Sequence, residues 1–188
     1  ILVFIVFYTY AGYGLLLQFI FPKRKKVILS ASHPLNLPRI AHIIAAYNEE
    51  EFIDQKIINA LSLDYPKDKM KVIVVTDGST DETIDIAERY SEVLHLHKPE
   101  RKGKVSAINR AVRLIREDYD ILVFSDANTL INKDAIMHMV RRFVNPRVGG
   151  VSGEKVVLSH DEDMVHARGE GLYWKYESWL KKLDSDFY

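Results

Sequence analysis

The sequence contains no cysteine in its 188 residues. This absence excludes a disulfide framework, a thiolate metal site and a cysteine nucleophile. An excess of either charge is also missing, because 26 basic residues balance 26 acidic ones. The balance gives no reason to expect nucleic acid as a partner. Apolar residues make up 47% of the chain, which is enough for a buried core and argues against global disorder.

Charge is absent altogether from residues 1–22. As a helix, residues 1–21 would rise about 32 Å, which is enough to cross a hydrocarbon core of roughly 30 Å. Four cations follow over 23–26, as is typical of the cytoplasmic end of a membrane span. We therefore predict a transmembrane helix over 1–21, a basic juxtamembrane linker over 22–38 and a cytoplasmic remainder. A buried core helix is the alternative for the first segment.

Apolar segments of alternating period follow from residue 39. In chain order the predicted elements are strand 40–46, helix 49–63, strand 72–75, helix 80–90, strand 93–96, helix 104–116, strand 121–124 and helix 134–143. This alternation predicts right-handed crossovers and a parallel sheet of the α/β class. The wholly apolar strands, 72–75 and 121–124, are expected to be buried on both faces. A further extended stretch is predicted over 149–158, and a final helix from near Met164.

Polar residues follow the first two predicted strands, at the sheet edge where ligands bind in such folds. Asn48 can cap the helix after the first strand, and Glu49 can interact favourably with its dipole. Ser79 or Thr80 can likewise cap the helix after the second strand. Capping does not require Asp77, which precedes a glycine at the tip of that strand. A carboxylate there can accept hydrogen bonds from the ribose or base of a nucleotide.

Two further features follow the third and fourth strands. Lys104 begins a helix, where the dipole disfavours a cation, so a nearby anion would explain it. A solvated lysine is the ordinary alternative. Asp126 and Asn128 follow the fourth strand and project to the same side of an extended chain. Their oxygens can ligate Mg²⁺ or Mn²⁺, which complete their shells with water and phosphate.

Six motifs together carry a family resemblance. They are AAYNEE (45–50), SLDYP (62–66), VVTDGSTDET (74–83), GKVSAIN (103–109), FSDANT (124–129) and NPRVGGVSG (145–153). Over residues 43–157 the chain resembles the donor-binding half of the family 2 glycosyltransferases, which include cellulose, chitin, hyaluronan and poly-N-acetylglucosamine synthases. The resemblance implies a GT-A, Rossmann-like core over 39–158, with a mostly parallel sheet flanked by helices.

The resemblance also implies where the nucleoside of the donor binds. Tyr47, Glu49 and Asp77 are implied to line the base and ribose. Ala46 and Asn48 belong to the same implied substrate-binding set.

The implied diphosphate and metal subsite departs from the family pattern. Lys104 is implied to lie near the diphosphate or base, and Asp126 to contact both substrate and metal. Asn128 stands where the family usually has the second aspartate of its Asp-X-Asp metal motif. Metal affinity should therefore fall, or the metal should be held mainly by the phosphates of the donor.

A catalytic base is the second departure. Neither a Thr-Glu-Asp-like motif beyond the metal strand nor a Gln-X-X-Arg-Trp motif occurs before Tyr188. The base is therefore expected beyond Tyr188 and the domain is predicted to be truncated. We expect the isolated fragment to bind a nucleotide sugar but to transfer little.

The function implied is that of a membrane-anchored glycosyltransferase of polysaccharide or glycolipid synthesis, at a cell membrane of bacterial inner-membrane type. It would move a sugar from a nucleoside-diphosphate donor, UDP-sugar foremost, to a saccharide or lipid acceptor with inversion. Another nucleotide-binding α/β enzyme is disfavoured, because no G-X-G-X-X-G follows the first strand. A membrane-tethered binding module without catalysis stays open because of Asn128.

The tail over 159–188 is predicted to start the acceptor half with an amphipathic aromatic helix. The segment 170–183 reads EGLYWKYESWLKKL. It is open to three interpretations: an interfacial helix, an aromatic platform for a sugar, or a helix that packs on the core. The cluster of His160, Asp161, Asp163 and His166 fits no known ligand spacing, so we interpret it as a surface loop and helix start.

Overall fold

The computed structural model describes residues 2–8, 12–20, 36–154 and 176–181. In chain order its elements are α1 (Leu2–Phe7), α2 (Tyr13–Ile20), β1 (Ile40–Ala46), α3 (Ile53–Leu61), β2 (Met70–Asp77), α4 (Thr83–Glu88), β3 (Leu94–Lys98), α5 (Lys104–Ile115), β4 (Ile121–Asp126), α6 (Ala135–Arg142) and α7 (176–181). The chain forms two compact units. Ala31–Val151 contains the sheet, and Ile1–Ser30 with Ser152–Tyr188 form the other unit.

The sheet has four parallel strands in the order β3-β2-β1-β4. The predicted α/β class with a parallel sheet is therefore confirmed. The register pairs Ala46 with Thr76, and Ala45 with Asp126. The carboxyl ends of β1, β2 and β4 consequently lie at one edge of the sheet.

The chain reverses direction across the sheet between β1 and β4. It moves outward from β1 to β2 and β3, then returns past β1 to form β4. Helices α3 and α4 pack on one face, whereas α5 packs on β1 and β2 from the other. Since crossovers between parallel strands are right-handed, reversing the direction of travel moves the helix to the opposite face. The gap between β1 and β4 is thus the switch point at which such sheets bind ligands.

Alternation along the central strands distributes apolar side chains to both faces. Ile44 and Val74 belong to the cluster packed against α3, whereas Ile43 and Ile73 pack against α5. Residues buried on both sides explain why β1 and β2 read as nearly continuous apolar runs. The core therefore holds the two central strands rigidly, and the site is built at their ends.

Several predicted boundaries need correction. Strand β1 has the bounds that the sequence predicts, but α3 begins at Ile53 instead of residue 49, and α4 at Thr83 instead of residue 80. The residues between the predicted and the observed helix starts, 49–52 and 80–82, lie in loops instead. Strand β4 was expected to be buried on both faces, yet Phe124 is 51% exposed. Within the described residues β4 pairs with β1 alone, which leaves its other edge open.

The remaining predicted segments fall partly or wholly outside the described residues. Residues 149–154 form no strand, and 155–158 lie outside the described ranges. The helix predicted from Met164 begins outside them as well, although 176–181 is helical. Residues 1, 9–11 and 21 of the predicted membrane span are also outside. Among the described residues, no helix combines the length and apolar character needed to cross a bilayer.

Candidate functional site

A cleft of about 260 Å³ opens at the carboxyl ends of β1, β2 and β4. It is lined by Ala45, Ala46, Tyr47, Glu49, Asp77, Arg101, Gly103, Lys104, Ala107, Asp126 and Asn128. Seven of the eight residues that the sequence predicts for the site therefore line one volume, and the exception is Asn48. The cleft coincides with the switch point of the sheet.

Asn48 joins two loops instead of lining the cleft or capping α3. Its backbone is left-handed, with φ of 52°. Its side-chain oxygen accepts a hydrogen bond from the backbone N–H of Thr80 at 2.9 Å, and its backbone N–H donates to Ser79 Oγ at 3.3 Å. The predicted capping role is thus wrong, since the residue before α3 is Phe52 and no side chain caps it.

The acids of the same two loops bond each other's main chains. The backbone N–H of Glu82 donates to Glu50 Oε2 at 3.0 Å, and that of Glu50 donates to Asp81 Oδ2 at 3.1 Å. Asp81 Oδ1 also accepts from the backbone N–H of Thr83 at 3.1 Å. Burial alone would raise the pKa of Asp81, but the hydrogen bonds from Thr83 and Glu50 lower it on balance. The loops after β1 and β2 consequently form one connected rim.

Asp77 is 3% exposed at the tip of β2. Its Oδ2 accepts hydrogen bonds from the backbone N–H groups of Lys102 and Gly103, both at 2.7 Å. Its Oδ1 is buried without a hydrogen-bond partner and lies 3.6 Å from Nη1 of Arg110. One carboxylate oxygen therefore fixes the loop before α5. The other lies near Arg110 and is a buried acceptor without a hydrogen-bond partner, which is unfavourable unless a ligand or water bonds it.

Arg101 is a cleft residue that no sequence pattern singled out. Its guanidinium stacks over the ring of Tyr47, with Cζ 3.8 Å from the ring centroid. Gly78, with φ of 72°, allows the close approach, because a Cβ there would lie 2.9 Å from the backbone nitrogen of Arg101. The Asp-Gly step at 77–78 and the basic segment RKGK at 101–104 are both present in the sequence. Their pairing depends on the loop that Asp77 holds, so periodicity could not reveal it.

Lys104 begins α5 and pairs with Asp126 at the end of β4. Both side chains are about half exposed. The lysine that the helix dipole disfavours thus has a carboxylate partner, which explains its position without a bound anion. A pair this exposed contributes little to stability, so it can separate readily when another anion or cation enters the cleft.

Asp126 and Asn128 both line the cleft, and their donor set fits a hard cation. Together they provide a carboxylate and an amide oxygen, which are ligand types that Mg²⁺ and Mn²⁺ prefer. The turn is closed by a bond from Thr129 N–H to the Asp126 carbonyl at 3.2 Å. Across the described part of the chain, no group of three or more His, Cys, Asp or Glu side chains could hold a metal. A cation here would consequently depend on oxygens from a ligand.

Glu49 adds a second carboxyl group to the cleft. Burial raises its pKa, the carboxylates of Asp126 and Asp81 raise it further, and Lys104 opposes them. The cleft therefore concentrates acidic groups that a cation or a cationic side chain must balance.

Two buried titratable residues near the end of β4 were also not predicted from the sequence. Lys56 of α3 is 0% exposed, and burial lowers its pKa to about 8 while Asp126 opposes that shift. Burial, followed by the charge of Lys56, lowers the pKa of His42 in β1 to about 3. His42 Nε2 lies 2.7 Å from Ser125 Oγ. The sequence signal for Lys56 is that a charged residue falls on the inner face of the amphipathic helix α3.

The comparisons with known proteins agree with this geometry. The family model described as "Glycosyl transferase family 2" matches residues 42–183, which is well over half of the chain. The chain therefore belongs to glycosyltransferase family 2, as the motifs predict.

Two curated relatives match more than two thirds of this chain but a much smaller share of their own length. It is 29% identical over 144 residues to the poly-beta-1,6-N-acetyl-D-glucosamine synthase of Staphylococcus aureus strain COL, a match that covers 73% of this chain and 34% of that protein. It is 29% identical over 132 residues to the Staphylococcus epidermidis synthase, covering 68% and 31%. The chain thus spans about a third of the length of these curated relatives.

A solved structure shares the fold more extensively. A mannosyltransferase from Pyrobaculum calidifontis, in complex with GDP-Man and Mn²⁺, superposes with a TM-score of 0.64 and 30% identity. The match covers 85% of this chain and 47% of that chain. This likeness supports the GT-A assignment of the sheet and its flanking helices.

Proposed function

We propose that this chain is the donor-binding part of a membrane-anchored glycosyltransferase. It moves a sugar from a nucleoside-diphosphate donor, with UDP-sugar expected first, to a saccharide or lipid acceptor with inversion. The observation that carries the proposal is the cleft at the switch point. That cleft is lined by a buried carboxylate, two cationic side chains and a pair of oxygen donors suited to a hard cation.

The nucleoside occupies the side of the cleft formed by Tyr47 and Asp77. The unsatisfied Oδ1 of Asp77 is an acceptor for a base N–H or a ribose hydroxyl. Arg101 stacks on one face of the Tyr47 ring, and the other face is a flat surface for a base. Ala46 leaves space at the end of β1, and Asn48 holds the rim in place through Thr80.

The diphosphate lies toward Arg101 and Lys104, at the beginning of α5. These cations attract the donor and offset charge on the departing nucleoside diphosphate. Asp126 and Asn128 would hold Mg²⁺ or Mn²⁺, and the Pyrobaculum mannosyltransferase is itself in complex with Mn²⁺ as well as GDP-Man. A divalent cation would supply further stabilisation of the leaving group's negative charge. Lys104 exchanges its contact with Asp126 for the diphosphate when donor and metal enter.

Membrane anchoring is proposed from the amino-terminal sequence. Residues 1–22 carry no charge, and the four cations over 23–26 follow directly. This arrangement favours a span over 1–21, with the cleft on the cytoplasmic side of a membrane of bacterial inner-membrane type. Protease accessibility of the chain in sealed inverted vesicles would test this orientation, and a protected sheet domain would contradict it.

Donor binding is tested by calorimetry on the detergent-solubilised chain. UDP, GDP, their sugar conjugates and NAD are titrated with and without Mn²⁺, and we expect binding of a nucleoside diphosphate that Mn²⁺ strengthens. Asp126→Ala should weaken that binding about tenfold or more, since it removes the charged oxygen donor. Asp118→Ala, an exposed acid outside the cleft, is the matched control. A preference for NAD, or no nucleotide binding, would contradict the proposal.

Sugar transfer requires a base that deprotonates the acceptor hydroxyl. No motif of the kind that the family resemblance implies for this base occurs in the 188 residues, so they should bind donor and transfer little. A radiolabelled-donor assay with saccharide and lipid acceptors measures this. Turnover at rates typical of an intact enzyme would show that the base lies within the chain.

A binding module without catalysis is the second candidate. Asn128 favours it, because the amide removes a charge from the position of the metal motif. Asn128→Asp separates the two candidates: in a catalytic donor site it should tighten Mn²⁺-dependent binding several-fold by adding a charged ligand. A module that binds nucleotide without metal would show no change in its response to Mn²⁺.

A further inference from the structure

Lys56 is a fully buried lysine that contacts the turn after β4, next to residues that line the cleft. It lies on α3 and is 0% exposed. Its Nζ donates a hydrogen bond to the backbone carbonyl of Thr129. Among the ion pairs of the described residues, none includes Lys56. The ammonium group is therefore held by a main-chain carbonyl instead of a carboxylate.

The carbonyl that Lys56 binds belongs to the turn that carries both proposed metal ligands. Thr129 N–H donates to the Asp126 carbonyl at 3.2 Å, and Thr129 Oγ1 donates to Asn128 Oδ1 at 3.3 Å. A displacement of Thr129 would therefore change the positions of both ligands. The contact with Lys56 connects this turn to the rigid core through α3.

Asn59 provides a second connection one turn further along α3. Its Nδ2 donates to the Ile131 carbonyl and its Oδ1 accepts from Ile131 N–H, both at 2.9 Å. Asn59 therefore fixes the same segment through uncharged bonds. If α3 only had to hold the loop, a second neutral side chain at position 56 would be sufficient.

The charge of Lys56 distinguishes it from Asn59. Asp126 is the acid whose charge acts on Lys56, and Lys104 pairs with Asp126 from the solvent side. Asp126 thus interacts with two lysines, and Glu49 is a second carboxyl group close enough to act on both Asp126 and Lys104. The charge of Lys56 therefore offsets acidic groups at this end of the cleft, and its removal would leave those groups to repel an anion such as a diphosphate.

We infer that Lys56 is a positioning residue of the donor site, which fixes the turn over 126–129 and supplies positive charge beneath the diphosphate. The inference rests on the proposed function, because it assigns the diphosphate to this end of the cleft. It also explains a costly feature. A buried ammonium destabilises a fold relative to an apolar side chain of similar size, and a role in the donor site accounts for its presence at position 56.

Lys56→Met in the full chain tests the inference, because methionine fills similar space without the charge or the donor. We expect the dissociation constant of UDP with Mn²⁺ to rise about tenfold or more, as for a lost charged interaction. The dissociation constant of uridine, measured by ligand-observed NMR, should change by less than about twofold, since the substitution leaves Tyr47 and Asp77 in place. Stability against urea at pH 7 should stay equal or increase. If the wild-type chain binds GDP more tightly than UDP, the same comparison is made with GDP and guanosine.

The outcomes separate the inference from the proposed function. If the wild-type chain binds no nucleoside diphosphate, the proposed function fails and the role of Lys56 fails with it. If the wild type binds but Lys56→Met keeps its UDP affinity, or weakens UDP and uridine equally, only the inference is wrong. Asn59→Ala is the matched control: it should lower stability with a smaller effect on the ratio of UDP to uridine affinity.

A chemical rescue covers the case in which the methionine variant does not fold. The chain has no cysteine, so Lys56→Cys introduces one thiol that can be alkylated selectively in denaturant before refolding. Treatment with 2-bromoethylamine restores an ammonium of lysine length, whereas bromoethane adds a neutral group of similar size. UDP affinity should recover to within about threefold of wild type only with the amine. Equal affinities for the two adducts would overturn the inference.

Discussion

At the scale of single residues, the cleft depends on backbone conformations that few side chains tolerate. Gly78 and Gly103 both have positive φ, 72° and 88°, and both border the loop that Asp77 holds. They differ in surroundings, because a Cβ at Gly78 would meet Arg101, whereas a Cβ at Gly103 meets nothing within 4 Å. Substitutions at the two glycines therefore distinguish the cost of backbone strain from the cost of a steric collision.

Gly78→Ala should lower the free energy of unfolding by about 2–3 kcal/mol, since strain and collision add. Gly103→Ala should cost about 1 kcal/mol from strain alone. Gly149→Ala, where a Cβ meets nothing within 4 Å and no positive φ occurs, is the control. Urea unfolding monitored by circular dichroism measures all three. Equal losses at positions 78 and 103 would show that the contact with Arg101 is unimportant.

His42 predicts a pH dependence of stability. Burial, and next the charge of Lys56, lower its pKa from 6.5 to about 3. The unfolded chain therefore binds the proton that the folded chain excludes, and stability falls as pH drops from about 6.5 toward 3. The slope from this group reaches about 1.4 kcal/mol per pH unit. His42→Gln, which retains a polar group near Ser125, should remove that part of the slope. Parallel wild-type and variant stability curves between about pH 4 and about pH 6 would contradict the assignment of this slope to His42.

At the scale of elements, the loops after β1 and β2 act as one unit. Each donates backbone N–H groups to acids or amides of the other, through Asn48, Glu50 and Asp81. Asn48 occupies a position where the sequence predicts a helix cap, yet these bonds between the loops join residues about thirty positions apart in the chain. The rim of the cleft is thus held across two strands instead of within each helix.

Asp81→Ala should lower the free energy of unfolding by about 1–2 kcal/mol, because it leaves two backbone N–H groups without acceptors. It should also weaken nucleoside binding, since the rim carries Tyr47. Asp85→Ala, an exposed acid in the first turn of α4, is the control for lost helix-dipole interaction. Calorimetry with UDP and urea unfolding provide the two measurements. Equal effects of the two variants would favour the dipole over the loop contact.

At the scale of the whole molecule, the site belongs to one structural unit. Every residue that lines the cleft falls within Ala31–Val151. The three apolar clusters that bury the sheet lie in the same range. Donor binding should therefore be a property of this unit by itself.

A polypeptide of residues 31–151 should fold cooperatively and bind the nucleoside diphosphate within about threefold of the full chain's affinity. Dispersed amide resonances in a two-dimensional NMR spectrum, followed by titration, would establish both properties. The full chain in detergent is the reference. A collapsed spectrum, or loss of binding in a folded unit, would show that residues outside 31–151 complete the site.

Local sequence patterns determined the α/β class, the parallel sheet and the bounds of β1. They also placed Asp77, Lys104 and Asp126 at one edge of the sheet, because apolar periodicity and strand ends are properties of adjacent residues. Boundaries were less certain where the residues before α3 and α4 use their polar groups in contacts between loops.

Only the tertiary structure decided which groups those side chains contact. Asp77 holds the main chain at Lys102 and Gly103, Asn48 bonds Thr80 instead of capping α3, and Lys56 reaches Thr129 from inside the core. Each contact joins segments at least 25 residues apart. Such pairings depend on the order of strands and the faces on which helices pack, and no local period encodes either.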